Sequence, residues 1–116
     1  MTVISQNMAM ANTKVDPSRN PDDFRRRIVV MAPGDPARGS EQGVHVRKIA
    51  FDQAPFRMEH DPNDPYADAD GYVRYTNVDT AIEMVNSVAV RRAYEANITA
   101  AEATKNMIQT SLRLLA

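Results

Sequence analysis

The sequence contains no cysteine, no long apolar run and no excess of charge of either sign. Without thiols, the 116-residue chain has neither disulfide bridges nor cysteine-based zinc or catalytic sites. No apolar stretch approaches the roughly 20 residues that are needed to cross a bilayer. The net charge of −1 gives no indication of a nucleic acid or an anionic membrane as a partner.

The amino terminus also lacks the features of a secretory signal. The segment MTVISQNMAMANTK has no basic region followed by a continuous apolar stretch. If the protein leaves the cytoplasm, we therefore expect an export route that removes no leader.

Large apolar side chains are scarce as well. Leu, Ile, Val and Phe together make up 23 of the 116 residues, close to the level at which independent folding becomes doubtful. Alanine supplies 16 more, but each alanine buries little area, and the hydrophobic free energy scales with buried area. We therefore expect a weakly stabilised monomer that gains order from partners.

The chain falls into three zones, residues 1–13, 14–76 and 77–116. In the first zone, apolar residues at Met1, Ile4, Met8 and Ala11 follow helical spacing. A helix this short is marginal in water, so it needs a surface to lie against. The prolines of the segment DPSRNPDD prevent its continuation.

The middle zone has the alternation and the turn residues of short strands. The candidate strands are FRRRIVVMA (24–32), GVHVRKIAF (43–51), PFRMEH (55–60) and GYVRYT (71–76). The loop DPNDPYADADG separates the last two. Simple alternation places Val44 and Val46 on one face of the second strand, and Ile49 and Phe51 on the other. We therefore expect a small sheet with no richly apolar face.

The third zone predicts one long helix from Val78 to Leu115, without an internal glycine or proline. Asn77 is a candidate N-cap, and Thr80 with Glu83 three residues later is a candidate capping box. The predicted fold class is α+β and mainly α. Its terminal helices are expected to pair, the second being long and coiled-coil-like, with a small β-rich insertion between them.

Two apolar stripes run along this helix, about 100° apart. The alanine stripe consists of Val85, Ala89, Ala93, Ala96, Ala100, Ala103, Met107 and Leu114. The aliphatic stripe consists of Tyr94, Ile98, Ala101, Ile108, Leu112 and Leu115. Small residues allow helix axes to approach closely, although alanine is also the best helix former, and an ordinary core is the alternative interpretation.

The supply of large apolar residues decides between these interpretations. The amino-terminal helix, with Ile4 and Met8, can cover only part of one stripe. Uncovered apolar surface on a protein marks an interaction site. We therefore predict that both stripes, together with Ile4 and Met8, form an assembly interface.

The acidic loop raises the alternative of a soluble calcium-binding or other small interaction module. Its possible ligands are His60, Asp61, Asp64, Asp68 and Asp70. A proline interrupts the alternation of an EF-hand loop, and no glutamate closes it. Asx residues with proline and glycine are equally typical of turns.

Other polar residues give weaker signals. His45 and His60 have no serine or cysteine motif around them. Arg25, Arg26 and Arg27 would be split between the faces of a strand and are expected to form a solvated edge. The sequence therefore predicts no catalytic residue, no cofactor and no metal ligand.

Several motifs resemble those of a known family. The loop DPYADADGYV, the NV pair at Asn77, the EMV at Glu83 and the RAYEANIT from Arg92 are similar to the carboxy-terminal part of the proximal rod proteins of the bacterial flagellar basal body. The SQNMAMANT from Ser5 resembles a helix end that flagellar rod and hook proteins share. The family carries further helix upstream and commonly has asparagine where Met10 stands, so zone 1–13 is expected to be short of the family's usual start.

The resemblance implies a non-enzymatic structural subunit of the basal-body rod. Such subunits are exported unfolded through the flagellar export apparatus without a cleaved signal. They polymerise with copies of themselves and with other rod proteins, from the rod-base adaptor to the distal rod, in a helical tube that serves as drive shaft and export channel. The terminal helices are expected to form the inner layer of that tube, without spanning a membrane.

Overall fold

The computed structural model describes residues 1–35, 37 and 39–116, apart from the side chains of residues 35 and 40–42. In chain order the elements are α1 (Thr2–Met10), a 3₁₀ helix (Pro21–Phe24), β1 (Arg27–Asp35), β2 (Ser40–Phe51), β3 (Arg57–His60), β4 (Tyr72–Tyr75) and α2 (Thr80–Leu115). The predicted α+β class is confirmed. The chain divides into two units, residues 1–83 and 84–116. Within the described residues, no helix combines the length and the apolar character that a bilayer span requires.

In the first unit, the segment after α1 is hydrogen-bonded to the second of two antiparallel strand pairs. β1 pairs with β2, and β3 pairs with β4. The Val15 N–H donates to the Arg74 carbonyl at 2.8 Å, and the Thr76 N–H donates to the Thr13 carbonyl at 3.1 Å. β4 therefore lies between β3 and residues 13–15, and the latter residues cover one of its edges.

The buried apolar side chains of this unit are few. Among the described residues they are Ala11, Val15, Phe24, Val73 and Val78. Phe24 is buried at the end of the 3₁₀ helix, which Asn20 caps by accepting a hydrogen bond from the Asp22 N–H. The expectation of a strand from residue 24 was wrong at that end, because Pro21 starts a helical turn and β1 begins only at Arg27.

A β-bulge corrects the prediction about the faces of the β1–β2 hairpin. Val30 pairs with Lys48, whereas the next residue, Met31, pairs with Val46, so Arg47 is an extra residue in β2. A bulge shifts the alternation of side chains by one position. Residues on opposite sides of the bulge, which simple alternation separates, therefore share one face.

That face consists of apolar pairs along most of the hairpin. Val29 lies opposite Ile49, and Met31 lies opposite Val46. Phe51 and Val44 continue the same face at its two ends, opposite Arg27 and Pro33. The hairpin thus has one richly apolar face, contrary to the expectation from the sequence.

The amino-terminal cap of α2 also differs from the prediction. The Asp79 carboxylate accepts hydrogen bonds from the Ala81 N–H at 2.8 Å and the Ile82 N–H at 3.4 Å. Neither Asn77 nor the Thr80–Glu83 pair caps the helix, because Asn77 and Glu83 bind other parts of the first unit. Asp79 is the N-cap, and α2 begins at Thr80.

Candidate functional site

A polar cluster of the first unit connects α1, β1 and the start of α2; it consists of Asn7, Arg26, Arg27, Asn77 and Glu83. Its centre is Glu83, whose side chain is 1% exposed. One Glu83 oxygen accepts a hydrogen bond from the Nε of Arg26 at 2.7 Å and lies 2.7 Å from the Nη2 of the same ion-paired guanidinium. The other oxygen accepts from the Asn7 side chain at 3.1 Å. A buried carboxylate is tolerated only with such partners, so Glu83 ties three elements together.

Asn7 joins α1 to β1 in the manner of a strand partner. Its Nδ2 donates to the Arg27 carbonyl at 2.9 Å, and its Oδ1 accepts from the Arg27 N–H at 3.0 Å. Asn7 is buried on α1, and the Arg27 guanidinium donates to Gln6 on the same helix at 3.2 Å. One amide group therefore fixes the position of α1 against the first residue of β1.

Asn77 holds the approach to α2. Its Oδ1 accepts from the Arg26 N–H at 2.7 Å, and its Nδ2 donates to the carbonyls of Asp52 and Ala54 at 3.2 and 3.1 Å. Arg25 donates to the same two carbonyls at 3.1 and 3.0 Å. The segment that follows β2 is thus held by Arg25, which precedes β1, and by Asn77, which precedes α2.

The expectation of a solvated arginine edge was wrong. Arg25 pairs with Asp22 at 3.0 Å, and Arg26 pairs with Glu83 and, at 3.5 Å, with Asp52. The Arg25 guanidinium also lies 4.7 Å from the centre of the Phe56 ring. Within the described residues, every buried side-chain nitrogen or oxygen atom has a hydrogen-bond partner. The cluster is therefore satisfied and is suited to fix geometry rather than to bind a ligand.

The acidic loop is organised by its own backbone rather than around an ion. Asp61, Asp64 and Asp68 accept hydrogen bonds from N–H groups two residues later in sequence, at 3.3, 2.9 and 3.0 Å. The second oxygen of Asp64 binds Lys14. That hydrogen bond holds the pKa of Asp64 below its ordinary value and raises the pKa of Lys14. The carboxylates serve turns, and the calcium-binding alternative is not favoured.

The predicted interface residues of α2 are exposed within the chain. From Val88 to Ala116 every side chain is exposed, including all members of the two stripes in that range, and Val85 is exposed as well. Leu115 is 85% exposed. On α1, Ile4 is half-buried and Met8 is exposed. The structure thus presents both stripes to solvent, and their contact with other molecules stays a prediction.

Sequence reasoning missed the polar cluster. Asn7 and Glu83 are 76 residues apart, and the signal for their pairing was weak. Asn7 interrupts the apolar spacing of α1, and Glu83 lies in the first turn of α2, where its charge also suits the helix dipole. In a single sequence, the favourable interaction with the helix dipole is a sufficient explanation for Glu83, and it concealed the long-range contact with Asn7.

Comparison with known proteins gives a consistent result. Residues 69–114 match the family described as flagellar basal body rod FlgEFG protein, C-terminal. The chain is 37% identical to the flagellar basal-body rod protein FlgC of Yersinia enterocolitica, over 98% of this chain and 84% of that protein. It is 36% identical to the FlgC of Bacillus subtilis, over 98% of this chain and 85% of that protein. The FlgC of Salmonella typhimurium is 37% identical, with 98% and 84% covered.

Proposed function

The chain belongs to the FlgC family of flagellar basal-body rod proteins, and on this premise we propose that it assembles through the two stripes of α2. It is a structural subunit of the rod in the flagellar basal body, and it is not an enzyme. The observation that carries the proposal is the complete exposure of α2 from Val88 onward, with large apolar side chains on two sides. An exposed apolar surface of this kind is typical of an interaction site, and neighbouring helices that pack on it would remove it from water.

The two stripes suit different neighbours. The alanine stripe lets a second helix approach closely, because small side chains leave room between the axes. The aliphatic stripe, with Tyr94, Ile98 and Leu112, offers larger side chains and more apolar area for each contact. In this proposal each α2 contacts two neighbouring helices, and the packed helices form the inner layer of the rod and the wall of the export channel.

α1 contributes to the same layer. Its exposed Met8 and half-buried Ile4 are proposed to contact the carboxy-terminal helix of an adjacent subunit. The partners are other copies of this chain and other rod proteins, including the rod-base adaptor and the distal rod. Delivery is proposed through the flagellar export apparatus, without a cleaved signal.

The polar cluster is proposed to set the geometry of each subunit. It fixes the carboxy-terminal part of α1 on the first residue of β1 through Asn7, and Glu83 fixes the first turn of α2 on Asn7 and on Arg26. Tightly packed protein interiors deform little under load. A satisfied buried cluster at this junction would therefore pass torque from the helical layer to the β-rich part of the subunit.

The test is to overpack the alanine stripe. Ala96→Leu with Ala100→Leu adds bulk where close approach is required, at a cost of about 1–3 kcal/mol for each site in each subunit. The control is Asn106→Leu with Gln109→Leu, which adds two leucines outside both stripes on the same helix. We expect the first variant to abolish rod assembly and swimming at normal protein levels, and the control to swim. Normal swimming of the first variant would contradict the proposal.

A further inference from the structure

The apolar face that the β-bulge creates is uncovered in the subunit. We call Met31, Val44, Val46, Ile49 and Phe51 the hairpin patch; their side chains range from 41% exposed at Phe51 to 69% at Val44. A two-stranded hairpin is barely stable alone in water. A contiguous apolar surface on such a hairpin marks an interaction site.

The charges around the hairpin patch indicate what kind of surface covers it. Residues 27–51 contain four Lys or Arg and two acidic residues. One of the cations, Arg47, is exposed in the bulge itself, next to Val46 of the patch, whereas the exposed Lys48 pairs with Val30 on the opposite face. A complementary surface therefore combines acidic groups with apolar or aromatic side chains.

The chain itself carries a surface of this kind. Residues 59–70 contain five acidic residues and no Lys or Arg, and only Asp64 of these is paired with a lysine in the described structure. Tyr66 within this segment and Tyr72 just after it are exposed. We infer that the hairpin patch of one subunit docks on the acidic loop, residues 59–72, of a second copy of this chain.

Other occupants within the same protein fit less well. A second hairpin patch would bring the Arg47 residues of two copies toward each other. Helix α2 carries four Lys or Arg and two acidic residues between Met84 and Leu115, so it has the same sign of charge as the hairpin. A patch-to-loop contact joins two different surfaces, so it can repeat along an open helical assembly such as a rod, whereas a patch-to-patch contact closes a dimer.

This inference rests on the proposed function, since it adds a contact to the rod made through α2. The two are separable by experiment. Because the chain has no cysteine, a pair introduced by substitution crosslinks without background. We propose Val46→Cys with Tyr66→Cys in one chain, expressed as the sole copy in the source bacterium, with crosslinking of isolated basal bodies.

The expected result is a ladder of crosslinked multimers, since each subunit has one cysteine on each surface. Val46→Cys alone should remain monomeric. A dimer of that single variant would overturn the inference in favour of a patch-to-patch contact. Rods that assemble normally and give no ladder would also overturn it, while leaving assembly through α2 intact.

Charge reversal gives an independent test. Arg47→Glu reverses the charge beside the hairpin patch, and Glu59→Lys with Asp70→Lys reverses the charge of the loop without touching the turn carboxylates of Asp61, Asp64 and Asp68. We expect each of these two variants to lower the number of rods per cell by about tenfold, and their combination to restore it to within about twofold, because coupled sites are non-additive. Additive losses in the combined variant would contradict the inference.

Discussion

The Arg26 guanidinium lies 2.7 Å from a carboxylate oxygen of Glu83 that has almost no contact with solvent. The two residues are 57 positions apart, one just before β1 and the other in the first turn of α2. Their contact is possible only when the β-rich part and the start of α2 are both in place. The stability of this contact therefore reports on the junction between the two.

Replacing Glu83 by glutamine tests that junction. The neutral amide leaves the Arg26 charge, which is only about one-fifth exposed, with the weaker partner Asp52 alone. Breaking a buried pair costs about 3–5 kcal/mol, and the partial exposure of Arg26 places the expected loss near the lower limit. The measurement is the midpoint of urea unfolding, followed by tyrosine fluorescence. The exposed Glu102→Gln is the control, and equal midpoints for both variants would contradict the role given to Glu83.

Removing the Asn7 amide should loosen α1 from β1. Asn7→Ala leaves the N–H and carbonyl of Arg27 without their partner, at a cost of about 1–3 kcal/mol. We expect faster hydrogen exchange at the Arg27 amide, by about one to two orders of magnitude in rate. The control is Asn12→Ala, an exposed asparagine just after α1. Unchanged exchange at Arg27 would show that other contacts hold the helix.

The Lys14–Asp64 pair should stabilise the acidic loop over a defined pH range. The pKa of Asp64 is lowered from 3.8, and the pKa of Lys14 is raised from 10.5, each mainly by their shared hydrogen bond. The stabilisation is therefore complete between pH 3.8 and pH 10.5, the ordinary pKa values of the two groups. It is lost as the pH falls through the lowered pKa of Asp64, and as the pH rises through the raised pKa of Lys14.

Asp64→Asn isolates this effect, because the amide oxygen can still accept the hydrogen bond from the Tyr66 N–H. The variant should unfold at lower urea concentration than the parent at pH 7, and the two should converge as the pH approaches 2. Asp70→Asn in the same loop is the matched control and should follow the parent throughout. A difference that persists unchanged at low pH would assign the loss to geometry rather than to charge.

The carboxy-terminal part of α2 should depend on assembly for its stability. In the isolated chain its backbone hydrogen bonds have no buried side chains beside them from Val88 onward. We expect amides of residues 90–115 to show protection factors below about 100 in dilute protein, since isolated helices open readily. In assembled rods the same amides should be protected by several orders of magnitude more. The amides of Val15 and Thr76, which donate to the Arg74 and Thr13 carbonyls, provide the internal reference. Equal protection of α2 and these amides in dilute protein would contradict the prediction.

The sequence was sufficient for the two helices and, apart from the start of β1, for the four strands, because each depends on local periodicity. It was insufficient where one residue changes the outcome. Arg47 looks like any polar strand residue, yet its place in a bulge reverses which side chains share a face. Asp79 competes with Asn77 for the helix cap, and only the long-range bonds of Asn77 exclude it.

Interactions between distant segments were also invisible in a single sequence. Three consecutive arginines predict a solvated edge when only neighbours are considered. Arg26 is instead paired with Glu83, because the fold brings the start of β1 to the first turn of α2. Nothing in the spacing of either residue indicates the other.

The bulge lets β2 hold one more residue than a regular strand without losing its apolar face. Exchanging Val44 or Ile49 for another aliphatic residue would keep that face apolar. Straightening the bulge with Arg47 still in the strand would turn half of these side chains to the reverse side, whereas deleting Arg47 would leave Val46 and Ile49 two positions apart and on the same side. Relatives that retain this surface should therefore have either two residues between these positions and a bulge, or one residue and a regular strand.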